Sequence, residues 1–458
     1  MTEVVELESI RDCLQAGLPS PLATCSADGT PNISHISLVQ YLDRERVATS
    51  RQFFNRALAN DLDASPFAQA LVVRPVTAEQ FRLELRYLHT TTDGEAFEAM
   101  RANLEAIASQ TGMGSVFRLR GLDVHRVVRC TRLHLPARAS QPAATPDALG
   151  ALEQFVRRLE SSVTYEEATQ VALEALDDLF GFRHSILLAL DPPTARLFAI
   201  ASSGYEHSAV GAEVAVGTGL IGTAASRRRL VVQANMARSR VMAAAVTDGA
   251  GGEREIPLPG LVEARSVAAV PLIVGQDVLG VLYLESEAPS AFGGATEGLL
   301  RIIGTHTAAA LAARGTPIAD DPGRPTTRAP QPSEGPPIEI VYYQADDTVL
   351  CDSAYVVKGA PGRILWSMLK AHADSGRTQF SNRELRLDES LGLPVGNDNL
   401  EARLLVLRRR LSDLDHGIAL ERVGRGRLEL RLGRPATLAV VPTSGPMRSA
   451  HEPEVRNS

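Results

Sequence analysis

Three places in the sequence bring together side chains that could do chemistry. In ATSRQFFNRALANDLDASP, Ser50, Arg51 and Arg56 lie just after an apolar, strand-like run. A hydroxyl and two guanidinium groups so placed could clamp a phosphate through charge-assisted hydrogen bonds. In NLEARLLVLRRRLSD, Arg403, Arg408, Arg409 and Arg410 share one helix-like segment from Asn399 to about Asp413. Gly424-Arg425-Gly426 then links two strand-like runs. The third place is Gly217-Thr218-Gly219-Leu220-Ile221-Gly222, which matches the G-x-G-x-x-G spacing of dinucleotide sites. That chemistry needs a long helix after the glycines and an acidic residue about 20 positions on. Here Ala224-Ala225-Ser226 runs at once into Arg227-Arg228-Arg229 and another strand-like run, so the match is rejected.

Helical geometry sorts the arginine-rich segment. Leu400, Leu404, Leu407, Leu411 and Leu414 fall within a sector of about 80°, the stripe of a core-facing helix. Arg409 is opposite the stripe, Arg403 and Arg410 flank it on one side and Arg408 on the other. Leu405 and Val406 are expected to face outward, where Val406 could meet a thymine methyl. The elements that must hold this helix are legible. Short strands (Ile338 to Tyr343, Thr348 to Cys351, Ala354 to Lys358) precede Pro361, which suits the start of a helix through His372. Ser381 to Glu384 forms a capping box. After Gly417 come the runs Ile418 to Arg422 and Arg427 to Leu432. A helix, a helix, an arginine-rich helix and a tight basic hairpin follow the logic of a winged helix-turn-helix. The same arginines would equally serve as a solvated face paired with Glu401 or Asp413.

The totals bound these readings. At 458 residues the chain is too long for one core. Its net charge of −7 leaves any nucleic-acid contact to a local patch. Residues 338–434 hold 15 Lys/Arg against 14 Asp/Glu, so even that block is nearly neutral. Cys13, Cys25, Cys130 and Cys351 have no metal-ligand spacing, and scattered thiols suit a reducing compartment. No apolar run reaches about 18 residues and the N-terminus has no leader pattern, so a cytoplasmic location with no membrane partner is expected.

Proline and small polar residues divide the chain. Residues 136–147 read as a linker, and 315–337 as a second, with seven prolines in 23 residues. The expected blocks are 1–135, 148–314 and 338–434, followed by a disordered tail over 435–458. The first reads as a small β-barrel with a few helices. In the middle block, two helical stretches (Ala148 to Glu160, Tyr165 to Phe180) precede strands. A hairpin signature at Val274-Gly275-Gln276 and a helix from Gly294 to Ala313 make it α+β. Asn235 to Pro259 suits a mobile lid. His184 and His207 are candidate haem or iron contacts, each more simply a structural histidine.

Three family resemblances add to this. VGTGLIGTAASRRRLVVQANM and VAAVPLIVGQDVLGVLYLES resemble the central signature and late hairpin of a GAF domain over about 148–314. That resemblance implies a small-molecule ligand, of unknown identity, or dimerisation; the absence of cysteine there excludes a thioether-linked bilin. PLATCSADGTPNISHISLV, the Ser50–Arg56 run and SQTGMGSVFRLRGLDVHRV resemble the pyridoxamine 5'-phosphate oxidase-like split barrels. That implies FMN at a dimer interface, less often haem or deazaflavin, with Ser50, Arg51 and Arg56 on the flavin phosphate. LEARLLVLRRRL with IALERVGRGRLELRL resembles an OmpR-type winged helix. By it Arg409 would read bases of double-stranded DNA, while Arg403, Arg410 and Arg425 meet phosphates. The expected whole is a multidomain, homodimeric sensory transcription regulator. The alternative is a flavin-dependent oxidoreductase with accessory domains.

Overall fold

The computed structural model describes residues 3–14, 20–52, 62–74, 79–110, 118–133, 148–233, 258–261, 263–289, 291–293, 295–315, 336–393, 399–414, 416–424 and 426–442. The chain forms two compact units, Met1–Thr316 and Pro317–Ser458, divided inside the proline-rich segment.

The first unit opens with an eight-stranded antiparallel sheet, curled into a half-barrel. Its strands are β1 (Glu3–Val4), β2 (Ser20–Cys25), β3 (Pro31–Ile36), β4 (Val39–Tyr41), β5 (Arg46–Gln52), β6 (Phe67–Val73), β7 (Gln80–Thr91) and β8 (Leu119–Leu133). They run in the order β3-β2-β6-β7-β8-β5-β4, with β1 on β8. The long pair β7 and β8 slips register at Glu84/Leu85 and Tyr87/His89, and bulges of this kind bend a sheet. Successive residues point to opposite faces. Val47 therefore joins a core with Leu22, Phe81 and Leu83, closed by helix α1 (Arg11–Leu14). Its neighbour Ala48 joins Phe97, Met100 and Leu104 of helix α2 (Glu95–Gln110) on the other side.

The same unit continues with α3 (Ala148–Ser161), α4 (Tyr165–Phe180), β9 (His184–Asp191), β10 (Arg196–Ser203), β11 (Glu213–Ala215), α5 (Gly219–Arg227), β12 (Val231–Gln233), β13 (Ser266–Val274), β14 (Asp277–Ser286) and α6 (Ala295–Gly315). Helix α4 starts where the sequence reading put it, because Thr164 and Glu167 complete a reciprocal capping box and Gly181 ends it left-handed. The strands form one antiparallel sheet, β11-β10-β9-β14-β13-β12. The β13–β14 hairpin turns at Gly275, with φ +59°. Helices α3, α4 and α6 pack together, and α4 and α6 pack on the sheet as well. Helix α5 also packs on β13 and β14, and α2 of the half-barrel lies against α5, so Ala102 and Ala106 sit in the same core as Leu220, Ile221 and Val267. Arg227 seals that contact with two hydrogen bonds to Glu105, at 2.8 and 2.6 Å. The glycine-rich run bears out its rejection as a nucleotide loop. It forms the tight entry to the nine-residue α5, with Gly217 N–H donating to Gly222 O at 2.8 Å.

The second unit runs β15 (Ile338–Tyr343), β16 (Thr348–Cys351), β17 (Ala354–Val357), α7 (Ala360–Ser375), β18 (Gln379–Ser381), α8 (Asn382–Leu387), α9 (Leu400–Leu414), β19 (Ile418–Gly424), β20 (Arg427–Leu432) and β21 (Ala436–Val441). Pro361 stands in the first turn of α7, and Ser381 caps α8 by accepting from Glu384 N–H at 3.2 Å. Two sheets, β17-β16-β15-β21 and β18-β20-β19, enclose one core with the three helices. Strand β21 corrects the expectation of a disordered tail from residue 435. Ala436 and Leu438 have apolar ground to cover on this core, and β21 pairs in parallel with β15.

Candidate functional sites

In the half-barrel, antiparallel pairing sets β5 beside β8 so that Arg51 is opposite Gly121 and Thr49 opposite Asp123. Arg51 Nε donates to both carboxylate oxygens of Asp123, at 2.8 and 3.1 Å, while Thr90 donates to Asp123 Oδ1 at 2.6 Å. Burial still pushes the Asp123 carboxyl up, against the pull of Thr90 and Arg51. Next to it Thr49 Oγ1 and His125 Nε2 are 3.1 Å apart, and His125 Nδ1 has no partner among the described residues. Burial, with the Arg51 charge beside it, pulls His125 down to about 4. Of the three expected clamp residues, Ser50 is fully buried and its hydroxyl accepts from Leu38 N–H at 3.3 Å. Arg51 keeps one buried nitrogen, Nη2, with no partner among the described residues. Arg56 lies outside the described residues. An anion approaching here would find a guanidinium already half neutralised by Asp123.

In the second unit, helix α9 departs from the one-sided wheel. Its leucine stripe is buried as expected, but Leu405 and Val406 are each only 3% exposed and Arg403 only 2%. The outward placement of Leu405 and Val406, and a phosphate role for Arg403, are therefore corrected. Helix α9 packs against α7, β17 and β19 at once, so more than the stripe is covered. Arg410 donates to the carbonyls of Val356 and Tyr355, and Arg408 to that of Leu420. Both guanidinium groups thus satisfy backbone oxygens of neighbouring strands. Arg409 is part-exposed, and Arg425 lies outside the described residues.

The six-stranded sheet carries a polar row that the sequence reading missed. Pairing across β12, β13, β14 and β9 aligns Gln233, Val267, Glu285 and His184. Residues paired directly point to the same face. The Glu285 carboxylate accepts from Tyr205 Oη (3.0 Å) and Leu261 N–H (2.7 Å) at Oε2, and from Tyr283 Oη (3.0 Å) at Oε1. Burial and this carboxylate together push the Tyr205 hydroxyl well up. The His184 ring meets Tyr205 edge-on, with centroids 5.5 Å apart. Gln233 is 5% exposed, and neither its amide oxygen nor its nitrogen has a partner among the described residues. The expected lid falls mostly outside the described residues, but Leu258 near its end, and Leu261 just beyond it, pack against this core. His207 is exposed, and no cluster of metal-ligating side chains occurs among the described residues.

A family model described as "GAF domain" matches residues 162–312. Residues 162–312 are a GAF domain. No curated protein matches the chain. Among solved structures, the GAF domain from an Acinetobacter phosphoenolpyruvate-protein phosphotransferase is similar at 22% identity, covering 37% of this chain and 96% of its own, with a TM-score of 0.30. A free methionine-R-sulfoxide reductase from Neisseria meningitidis is similar at 17% identity over 38% of this chain and 96% of its own, TM-score 0.28. An FMN-binding protein from Syntrophomonas wolfei subsp. wolfei is similar at 19% identity over 28% of this chain and 87% of its own, TM-score 0.25.

Within the GAF domain, the row can do recognition. Glu285 spends its acceptors on two tyrosines and a backbone N–H, which fixes both phenol rings. Gln233 is left holding one donor pair and one acceptor with no partner among the described residues. A buried amide costs free energy until it is paired, so Gln233 calls for a polar partner there. The signal was present in VLGVLYLES, where an acidic residue takes the inward step of an otherwise apolar strand.

Proposed function

We propose that the chain is a sensory transcription regulator: its GAF domain takes a small polar ligand, and residues 338–434 bind double-stranded DNA as a winged helix-turn-helix. The element order of the second unit carries this reading. Three strands lead into α7, α8 and α9, the last of which bears Arg408, Arg409 and Arg410, and the β19–β20 hairpin follows at once. In such a module the third helix enters the major groove and the hairpin meets the backbone. Arg409 is the side chain we assign to base reading, with Arg425 at the wing. Burial of Ala402, Arg403, Leu405 and Val406 narrows the reading face to the part-exposed Arg409. No helix among the described residues is long and apolar enough to cross a membrane, in keeping with a regulator of the cytoplasm. The test is selection of bound duplexes from a random pool by the full-length protein, with the Arg409→Ala variant alongside. No enrichment by the wild type rejects the reading.

The half-barrel, residues 1–135, we assign as a split barrel of the FMN-binding, homodimeric type. Arg51 Nη2 supports it, being a buried cationic donor without a described partner at the expected phosphate position. Arg51, Ser50 and Arg56 would hold the phosphate, and a bound flavin would supply redox chemistry. The same observation supports the second reading, a flavin-dependent oxidoreductase. Freshly purified protein should then show a flavin absorbance, and turnover of reduced nicotinamide would favour the enzyme over the regulator.

A further inference from the structure

A cavity of about 340 Å3 lies where the half-barrel meets the GAF domain. Strand β4 and helices α1 and α2 form one wall, and β12 with α6 the other. Strands β4 and β12 are the last strands of their sheets, so no strand pairing closes the gap. The volume is at the small end of ligand sites.

The lining is polar in a specific way. Gln40 Oε1, Asn103 Oδ1 and Arg11 Nε are buried there, and none has a hydrogen-bond partner among the described residues. Three such atoms in one cavity are an unmet demand for acceptors and donors. Three arginines line it, and each has one loosely placed carboxylate: Arg11 is 3.6 Å from Glu8, just outside the lining. Arg229 is 3.6 Å from Glu95, and Arg301 is 3.4 Å from Glu297, so neither pair is tight. Burial pushes the Glu297 carboxyl up, against the pull of Arg301 and Arg11.

We propose that this cleft binds a small organic monoanion, a carboxylate that also carries hydroxyl groups. The carboxylate answers Arg11 Nε, a buried cationic donor with no partner among the described residues. The hydroxyls answer the carboxamide oxygens of Gln40 and Asn103. Because residues of both domains line the cleft, such a ligand would clamp the half-barrel to the GAF domain. The site is separate from the Gln233–Glu285 row and does not depend on DNA binding.

The test is the thermal midpoint of full-length protein with glycerate, gluconate or threonate at millimolar concentration. Acetate (charge without hydroxyls), glucose (hydroxyls without charge) and inorganic phosphate are the controls. At least one hydroxycarboxylate should raise the midpoint by several degrees while the controls do not. The double variant Gln40→Leu with Asn103→Leu should keep its ligand-free midpoint and lose the shift. Should that variant fail to fold, Arg229→Gln at the rim should weaken the half-saturation concentration at least tenfold. Gln233→Leu, in the GAF pocket, should leave the shift intact. The proposal is overturned if no hydroxycarboxylate acts, if acetate or phosphate acts equally, or if the shift survives the cleft variants. A shift lost in Gln233→Leu instead places the ligand in the GAF pocket and overturns it too.

Discussion

Arg51 and Asp123 form an ion pair across β5 and β8 in which the aspartate side chain is wholly buried and the arginine is 22% exposed. Removing a buried partner strands the other charge, and that cost exceeds the worth of the pair itself. Asp123→Ala is expected to destabilise the half-barrel by about 2–3 kcal/mol, less than a fully buried pair because Arg51 reaches solvent. If Arg51 serves an anion, the same variant should bind inorganic phosphate or FMN more tightly per folded molecule. Chemical denaturation and a flavin titration on one sample read both effects.

His125 gives the half-barrel a pH dependence of stated sign. Its folded value, about 4, lies below the ordinary 6.5, so the unfolded chain binds the proton first. Stability from this group is complete above pH 6.5 and drains away as pH falls towards 4, by about 3 kcal/mol in all. Asp123, held high by burial, works in the opposite direction over its own range. The thermal midpoint of the wild type should therefore fall between pH 7 and 5, and His125→Gln should flatten that slope. An unchanged slope in the variant would assign the acid sensitivity elsewhere.

How far these sites could be read from sequence depends on whether the reason was local. The N-cap at Ser381, the Gly275 hairpin and the leucine stripe of α9 are set by neighbours in the chain and stand as expected, while the other half of the capping box does not form because Glu384 pairs with Arg377. Burial of Leu405, Val406 and Arg403 depends on β17 and β19 arriving from elsewhere, which a helical wheel does not contain. Gln233 and Glu285 are 52 residues apart and meet only through the register of β13, so no motif spans them. The α2–α5 contact was illegible for the same reason. Ala102 and Ala106 look like ordinary helix formers until Arg227 is found against Glu105.

Gly222 is needed for close approach, not for nucleotide chemistry. A Cβ built on it would lie 2.2 Å from the Ala215 carbonyl oxygen, a backbone atom that cannot swing aside. Gly222→Ala should cost at least about 2 kcal/mol and lower the thermal midpoint of the GAF domain by several degrees. Gly298→Ala, where a Cβ meets nothing within 4 Å, is the control and should leave it unmoved or raised.

Two exposed apolar side chains of the half-barrel are candidates for the proposed dimer contact. Ile33 pairs with Ala23, and Ala23 with Gln69, so Ile33 lies on the same face as Phe67, two residues from Gln69. These two side chains are 69% and 62% exposed, and apolar groups so placed gain free energy when covered. Light scattering of the wild type should give twice the chain mass, and Phe67→Glu should halve it without lowering the ligand-free midpoint. A monomeric wild type at micromolar concentration would remove the dimer from the proposal.

If α9 is the reading helix, its arginines divide into structural and reading ones, and the division is measurable. Arg410 supplies hydrogen bonds to the carbonyls of Tyr355 and Val356, and Arg403 is almost wholly enclosed. Loss of either should lower the stability of the second unit, by about 1–3 kcal/mol for the charged hydrogen bonds of Arg410. The salt dependence of DNA binding per folded molecule should then hardly change, because neither neutralises a phosphate. Arg409 lies opposite the leucine stripe on the helical wheel, and its loss should show in DNA binding. Arg409→Ala should weaken binding to the preferred sequence by about 1–3 kcal/mol per folded molecule. Sequences selected from a random pool should lose discrimination at one position while non-specific affinity falls little. If Arg410→Ala instead flattens the salt dependence and Arg409→Ala leaves the selected sequence intact, another face of α9 meets the DNA. Its contacts with β17 must then open before it binds.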